Sequence, residues 1–254
     1  MENFSSLSIK NGAIENSIEN IKNLIVHTGW SIDKAIEMNG LSEEIKSKVY
    51  EAILKEKYEF FSEPHIFADI INAILFEGEQ VLKKKHIMSN EFFNEESESL
   101  KKNRDLLKRI QYIDEDKRLN IFYLGLKLLD EINLDIQIKI REDDAKTYFD
   151  LLDKYDMRYY VKTIILLFAS HNDKQAFEYD LSKEMQEYLY YSDTIILNMA
   201  TIDAQLFHSE EMQVLVRWYQ LYNDNKNSAL EYINSLETYP NKLISVIATL
   251  IDYT

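Results

Sequence analysis

Val161-Lys162-Thr163-Ile164-Ile165-Leu166-Leu167-Phe168 is a short run of β-branched and apolar residues with no alternating polar face. A strand buried on both sides reads in this way. A second run of the same character spans Thr194 to Met199. Upstream, Leu119, Ile121 and Tyr123 recur at period two. So do Leu134, Ile136, Ile138 and Ile140, with Asn133, Asp135, Gln137 and Lys139 on the opposite side. Period two predicts half-exposed strands, with Asp130-Glu131 as the hairpin turn between them. Asp144 to Tyr155 reads as a helix, and the pattern is helical again from Asp203, broken at Asn223–Asn227 and at Pro240. Strands alternating with helices predict an α/β fold, a small mixed central sheet flanked by helices. The alternative is an all-helical protein whose short apolar runs are buried helix segments, because period alone does not separate the two.

Towards the N-terminus the polar residues 1–14 are expected to be flexible. Ile18, Ile21, Leu24 and Ile25 then recur at helical spacing. Ser31 is placed as an N-cap, Gly40 as a C-terminal cap, and Ser42 with Glu43 and Glu44 as the start of a helix reaching about Lys57. Residues 15–57 are thus a helical appendage. Pro64 marks a boundary, after which Ile66, Ile70, Ile71, Ile74 and Leu75 form an amphipathic helix ending near Gly78. Residues 84–102 are polar and charged, acidic from Asn94 to Ser99, and predict an exposed loop. The densest positive patch follows: Lys101, Lys102, Arg104, Lys108 and Arg109. The organisation expected is 1–14, 15–57, an α/β core over 60–202 and a C-terminal helical region over 203–254.

The chain has 254 residues, 46% of them apolar and 29% charged, and no cysteine. That apolar content fills a core. The lack of cysteine excludes a disulfide scaffold, a zinc ribbon, an iron–sulfur centre and a thiol nucleophile. No apolar run approaches the ~20 residues of a membrane helix, and Met1 to Lys10 has no basic flank leading into an apolar stretch. A cytoplasmic protein that does not engage membranes is expected. The net charge of −15, from 29 basic and 44 acidic residues, repels duplex DNA unless a local basic patch or bound cations reverse the field.

The run Phe67-Ala68-Asp69-Ile70-Ile71-Asn72-Ala73-Ile74-Leu75-Phe76-Glu77-Gly78-Glu79-Gln80-Val81 resembles the opening helix of a bacterial family. These are the recombination-promoting (Rpn-like) nucleases, also called PD-(D/E)XK nuclease-family transposases, which open on a pattern of the kind FAD-x-x-N-x-x-x-F-x-G-x-Q-V. Further echoes follow in order. Arg104-Asp105-Leu106-Leu107-Lys108 is similar to the family's RD-V-L-K, and Leu124-Gly125 with Glu131-Ile132 to its L-G-I-E-N-Q segment and the hairpin after it. Ala145 to Tyr148, Val161 to Phe168, Asp180-Leu181 with Glu184-Met185, Ile195 to Met199 and Phe207 to Lys226 resemble later elements. The resemblance covers about 60–254. Asn23 to Glu44 is similar to a helical tail that family members carry at the opposite end of the chain.

The resemblance implies a restriction-endonuclease-like core that cuts DNA with Mg²⁺ or Mn²⁺ held by an Asp and a Glu at the sheet edge, beside a Lys or Gln that places the water. Asp105 stands at the first Asp position. The Glu of E-N-Q, however, falls on Lys127 and its Gln on Leu129. An ammonium repels a cation and cannot ligate it. A looser register puts Asn120 at the Asp position and Asp135-x-Gln137 at the E-x-Q. The primary expectation is therefore an inactive nuclease-like protein, related to mobile elements, that needs no cofactor and acts by binding a protein partner. It could regulate an active relative, imitate phosphate to a DNA-binding protein, or pair as a homodimer. The alternative is an active endonuclease in which Asp105 and Asp135 hold the metal, Gln137 assists, and Lys101, Lys102 and Arg104 touch DNA. A third reading is an all-helical regulatory protein.

Other signals read as scaffold. Ser31 to Val49 has the shape of a helix-turn-helix but leads with Glu43 and Glu44, which favours packing over DNA reading. Asp114-Glu115-Asp116 and Glu142-Asp143-Asp144 suit solvated turns or a helix start. The histidines, His27, His65, His86, His171 and His208, show no metal-ligand spacing. Neither G-x-S-x-G nor G-x-x-x-x-G-K-[ST] occurs. Trp218 reads as core, and Tyr190 or Tyr191 as surface.

Overall fold

The computed structural model describes residues 2–88, 105–155, 159–168, 195–236, 238 and 240–252. They fall into two compact units, one of residues 1–63 with 217–254 and one of residues 64–216. The sequence reading divides the chain at 60 and 203. The structural division falls slightly later at each place and groups the two ends of the chain in one unit.

That first unit is helical. It holds α1 (Glu2–Thr28), α2 (Ile32–Met38), α3 (Glu43–Ser62), the end of α6 (Glu210–Asp224), α7 (Lys226–Ser235) and α8 (Asn241–Asp252). Helical order starts at Glu2, inside the segment expected to be flexible. No proline interrupts 2–28, and a helix nucleated downstream extends at one hydrogen bond per residue. Ser31 caps α2 as expected, its Oγ accepting from Lys34 N at 3.2 Å. Gly29 and Gly40 end their helices with φ of +64° and +60°, and a Cβ at Gly29 would lie 2.9 Å from Lys226 Cε. Ile32, Ala35 and Ile36 of α2, and Val49 and Ile53 of α3, are buried. The α2–α3 pair therefore serves packing in this unit. Trp218 is also fully buried, stacked on Tyr222 with centroids 5.0 Å apart.

Helix α8 is buried from Leu243 to Ile251, around its whole circumference. A helix apolar on every side belongs inside a bundle, and α1, α2 and α3 pack around it. Its polar residues are satisfied. Thr249 bonds back to Val246 O at 2.7 Å, and Ser245 Oγ donates to Glu56 Oε2 at 2.5 Å. The same carboxylate accepts from the buried Lys22 Nζ at 2.9 Å, so one charge cluster ties α1, α3 and α8 together.

The second unit is mixed α/β. It holds α4 (Pro64–Leu75), β1 (Ile87–Met88), β2 (Leu106–Ile113), β3 (Leu119–Leu129), α5 (Leu134–Tyr155), β4 (Tyr160–Leu167), β5 (Ile195–Asn198) and the start of α6. The sheet order is β1-β2-β3-β4-β5. The first three strands are antiparallel; β3, β4 and β5 are parallel. The strands Tyr160–Leu167 and Ile195–Asn198 fall within a residue of where the sequence places them, and the sheet excludes the all-helical reading. One face carries Ile110, Leu124, Leu126, Ile164 and Leu166, all buried, and α4 packs on β1. The other face holds two small cores with α5. Leu107 and Tyr123 meet Leu151, and Ile165 and Leu167 meet Ile132 and Ile140.

Two expectations are corrected. Leu134 to Ile140 is the start of α5. Asn133 Oδ1 accepts from Ile136 N at 2.9 Å as an N-terminal cap, and Asp135 sits in the first turn, where the dipole favours an acid. The isoleucines fall at period two by accident: Ile140 is buried and Ile138 is 49% exposed. The hairpin, correspondingly, does not turn at Asp130-Glu131. It joins β2 to β3 through 114–118. Arg118 N donates to Asp114 Oδ1 at 2.8 Å, and Lys117 adopts φ +62°.

The motif Phe67 to Gly78 builds this unit. Asp69, 5% exposed, accepts His208 N on one oxygen at 2.9 Å, and Ser209 N and Oγ on the other at 2.8 and 2.6 Å. It therefore caps α6 from 139 residues away. Asn72 clasps Leu82 through a reciprocal pair of 2.8 Å bonds. Gly78 has φ +87°, where a Cβ would lie 3.1 Å from Leu206 O. Asp69→Ala is expected to lower the unfolding free energy of this unit by about 3 kcal/mol, with Asp69→Asn losing less. Glu56→Ala, which removes the nearer partner of the buried Lys22 ammonium and leaves it Glu19 at 3.5 Å, is expected to cost the first unit about 2 kcal/mol. Urea denaturation followed by circular dichroism measures both. Losses under ~1 kcal/mol would mean that these carboxylates are not the ties described.

Candidate functional site

Ligands of open sheets gather beyond the carboxyl ends of parallel strands. In the second unit that end is reached by Leu129 of β3, Leu167 of β4 and Asn198 of β5. Strand β2 runs the other way, so its leading residue, Asp105, arrives at the same end. Backbone bonds hold it there: Asp105 N donates to Leu126 O at 3.1 Å.

Lys127 lies on the α5 face of β3, directly opposite Ile165. Its Nζ donates to Asp105 Oδ1 at 3.2 Å, and Leu128 N donates to Oδ2 at 2.6 Å. Each carboxylate oxygen therefore has a donor. The side chains are 12% exposed for Asp105 and 22% for Lys127, so this is a shielded pair and less screened than a surface bridge. Chemically the arrangement pins the start of β2 to β3. It does not fit a divalent cation. A hard metal needs several oxygen ligands, and here an ammonium already holds one of the two oxygens. Among the described residues no three carboxylate, imidazole or thiol side chains gather as a cation cage.

The looser register is not assembled. In a strand, Asp135 and Gln137 would share a face. In α5 they point roughly 200° apart, with Asp135 exposed and Gln137 buried at 8%. Asn120 is the second residue of β3, paired with Tyr112, and its Nδ2 donates to Asp114 Oδ2 of the hairpin turn at 3.1 Å. Leu129, at the position of the glutamine, packs into the core with Ile165 and Leu167. Lys101, Lys102 and Arg104 lie outside the described residues, as do Asn94 to Ser99, His171, Asp180 to Met185, Tyr188, Tyr190 and Tyr191.

Asp114, Glu142 and Asp144 of the acidic clusters have local partners. Asp114 accepts from Arg118 N and from Asn120, which holds its carboxyl below the usual carboxylate range. Glu142 pairs with Lys146 at 2.7 Å. Asp144, well inside α5, accepts Thr163 N at 3.0 Å and Thr163 Oγ1 at 2.6 Å, fixing the helix to β4. The sequence reading missed this anchor and the Asp69 cap. A carboxylate i, i+3 or i+4 from apolar helix positions was the available sign of the first, and the FAD pattern itself the sign of the second. His27 meets Asn234 at 2.8 Å and His208 donates to Gly78 O at 2.7 Å. His65 lies 3.7 Å from Glu211.

Comparison with family models, with curated proteins and with solved structures finds no match to this chain. None of the described helices is long and apolar enough to cross a membrane.

A double-mutant cycle tests the pair itself. Asp105→Ala and Lys127→Ala are each expected to destabilise the protein by about 1–2 kcal/mol, with a coupling near 1 kcal/mol. Denaturation curves for the two single variants and the double variant give the coupling. Strict additivity would mean that the contact contributes nothing.

Proposed function

We propose that residues 64–216 are a nuclease-type core whose metal seat is taken by a lysine, and that the chain acts by binding a protein partner. The 3.2 Å contact between Lys127 Nζ and Asp105 Oδ1 carries this reading. In the register of the Rpn-like pattern, Lys127 replaces the second metal carboxylate. Its ammonium sits against the remaining carboxylate, where a cation would otherwise neutralise that group. Several features support the restriction-endonuclease-like reading. A mixed sheet lies between helices, an antiparallel ribbon precedes a crossover helix, and an Asp stands at the strand end of that ribbon. The motif residues Asp69, Asn72 and Gly78 all have scaffold duties, so the pattern can outlive the chemistry. A net charge of −15 suits a protein that presents carboxylates to a basic partner surface, such as the DNA-facing side of an active relative.

Plasmid nicking assays in Mg²⁺ and in Mn²⁺ test the reading. The natural protein is expected to leave supercoiled plasmid intact. Lys127→Glu, which restores a second carboxylate beside Asp105, is expected to bind Mn²⁺ at least about tenfold more tightly by titration calorimetry. Nicking by the natural protein that is abolished by both Asp105→Ala and Asp135→Ala would overturn the proposal in favour of the active endonuclease.

A further inference from the structure

At the opposite end of the sheet, and on the opposite face, the second unit carries a row of rings. His86 lies 6.1 Å from Tyr112, and Tyr112 lies 6.1 Å from Phe122, edge to face. Phe122 is paired directly with Tyr160 across β3 and β4. The alternation of the strands puts Tyr112, Phe122 and Tyr160 on one face. Further along, the same face carries the buried Ile110, Leu124 and Ile164. The row lies beyond those buried residues. Tyr160 is 60% exposed, and His86, Tyr112 and Phe122 are half-buried.

Cations border the row. Lys83, Lys84 and Lys85 are exposed on the short 3-10 turn that ends in His86. Lys108 and Lys162 flank Leu124 in register on the same face, two residues along their strands from Ile110 and Tyr160. The hairpin turn that follows Tyr112 and Ile113 carries acids. Asp114 there is engaged by Arg118 N and Asn120, and Asp116 lies 3.5 Å from Arg118. Burial and the charges of Lys85 and Lys83 push the His86 imidazole below its ordinary value, so at neutral pH it is an uncharged ring. In a chain of net charge −15, this surface pairs aromatic rings with a local excess of lysine.

We propose that this face binds single-stranded nucleic acid, bases against the row of His86, Tyr112, Phe122 and Tyr160, and phosphates against Lys83, Lys84 and Lys85. Rings accept any base by stacking, and flanking lysines follow a phosphate backbone. A duplex keeps its bases stacked on each other and offers no free base face to the row. An acidic peptide would use the lysines alone. The surface is separate from the Asp105–Lys127 pair and does not depend on how that pair is read.

Fluorescence anisotropy of the full chain tests this. The probes are labelled strands of about 12 nucleotides, one DNA and one RNA of the same sequence, and the DNA annealed to its complement. Binding is measured at salt from about 50 to 200 mM, with polyglutamate as competitor. Either single strand is expected to bind more tightly than the duplex, and the two sugars show which nucleic acid is preferred. Tyr160→Ala is expected to weaken binding about tenfold, while Tyr160→Phe retains it. Replacing Lys83, Lys84 and Lys85 with Ser is expected to flatten the slope of log K against log salt by about 2. Four results would each overturn the proposal. These are no binding of either strand at the lowest salt, equal binding of the duplex, displacement by polyglutamate at matched charge, and Tyr160→Ala binding like the natural protein.

Discussion

Parallel pairing of β3 with β4 is the constraint that orders the second unit. Two adjacent parallel strands cannot be joined by a tight turn, so the chain must cross over the sheet and return to its starting edge. Residues 134–155 do this as α5, and their buried stripe of Ile140, Thr147 and Leu151 exists because the crossover lies on the sheet. Asp144 locks it by accepting from Thr163 of β4. The same constraint sets the ends. With β3 and β4 parallel and β2 antiparallel, Asp105, Leu129 and Leu167 are brought to one edge, and Lys127 lies within reach of Asp105. The position of the charge pair thus follows from topology before any chemistry is asked of it.

What occupies that edge is a matter of charge. A lone Asp beside a strand end would stand among the low-dielectric surroundings of the α5 cores, and an opposing charge stabilises it there. A metal ion or an ammonium each supplies that charge. The ammonium comes covalently attached, on a side chain whose stem packs along the sheet. The Lys127 ammonium leaves the edge electrically neutral and occupies one oxygen of the Asp105 carboxylate. Asp69, Asn72 and Gly78 act at other places, through a buried carboxylate anchor, a backbone clasp and a left-handed turn.

Much of this was legible in the sequence. The strands at 160–167 and 195–198 were visible as unbroken apolar runs, although the second is a half-buried edge strand and not one buried on both faces; the α4 helix was visible from its three-four spacing and Pro64. Lys127 stood out only through the resemblance, which puts the Glu of its E-N-Q segment at that position. Three features were hidden. The period-two isoleucines from 134 to 140 obscured a helix start whose better signs were Asn133 as cap and Asp135 in the first turn. Strand β2 was masked by its charges, since Lys108 and Arg109 read as a basic patch and not as residues of a strand at the sheet's border. The aromatic row was invisible because its members come from four separate segments, at 86, 112, 122 and 160. Only strand register brings them side by side.

The arrangement of the helical unit has a consequence for the order of events on the ribosome. Helices α1 to α3 are synthesised before the α/β unit, yet the α8 helix that packs against them emerges after every residue of that unit. Until residues 241–252 arrive, Ile21, Ile25, Val49, Ile53 and Phe60 face water or each other. The sheet-bearing unit can close while translation continues. The bundle must wait, and a chain released early would carry three amphipathic helices without their common core.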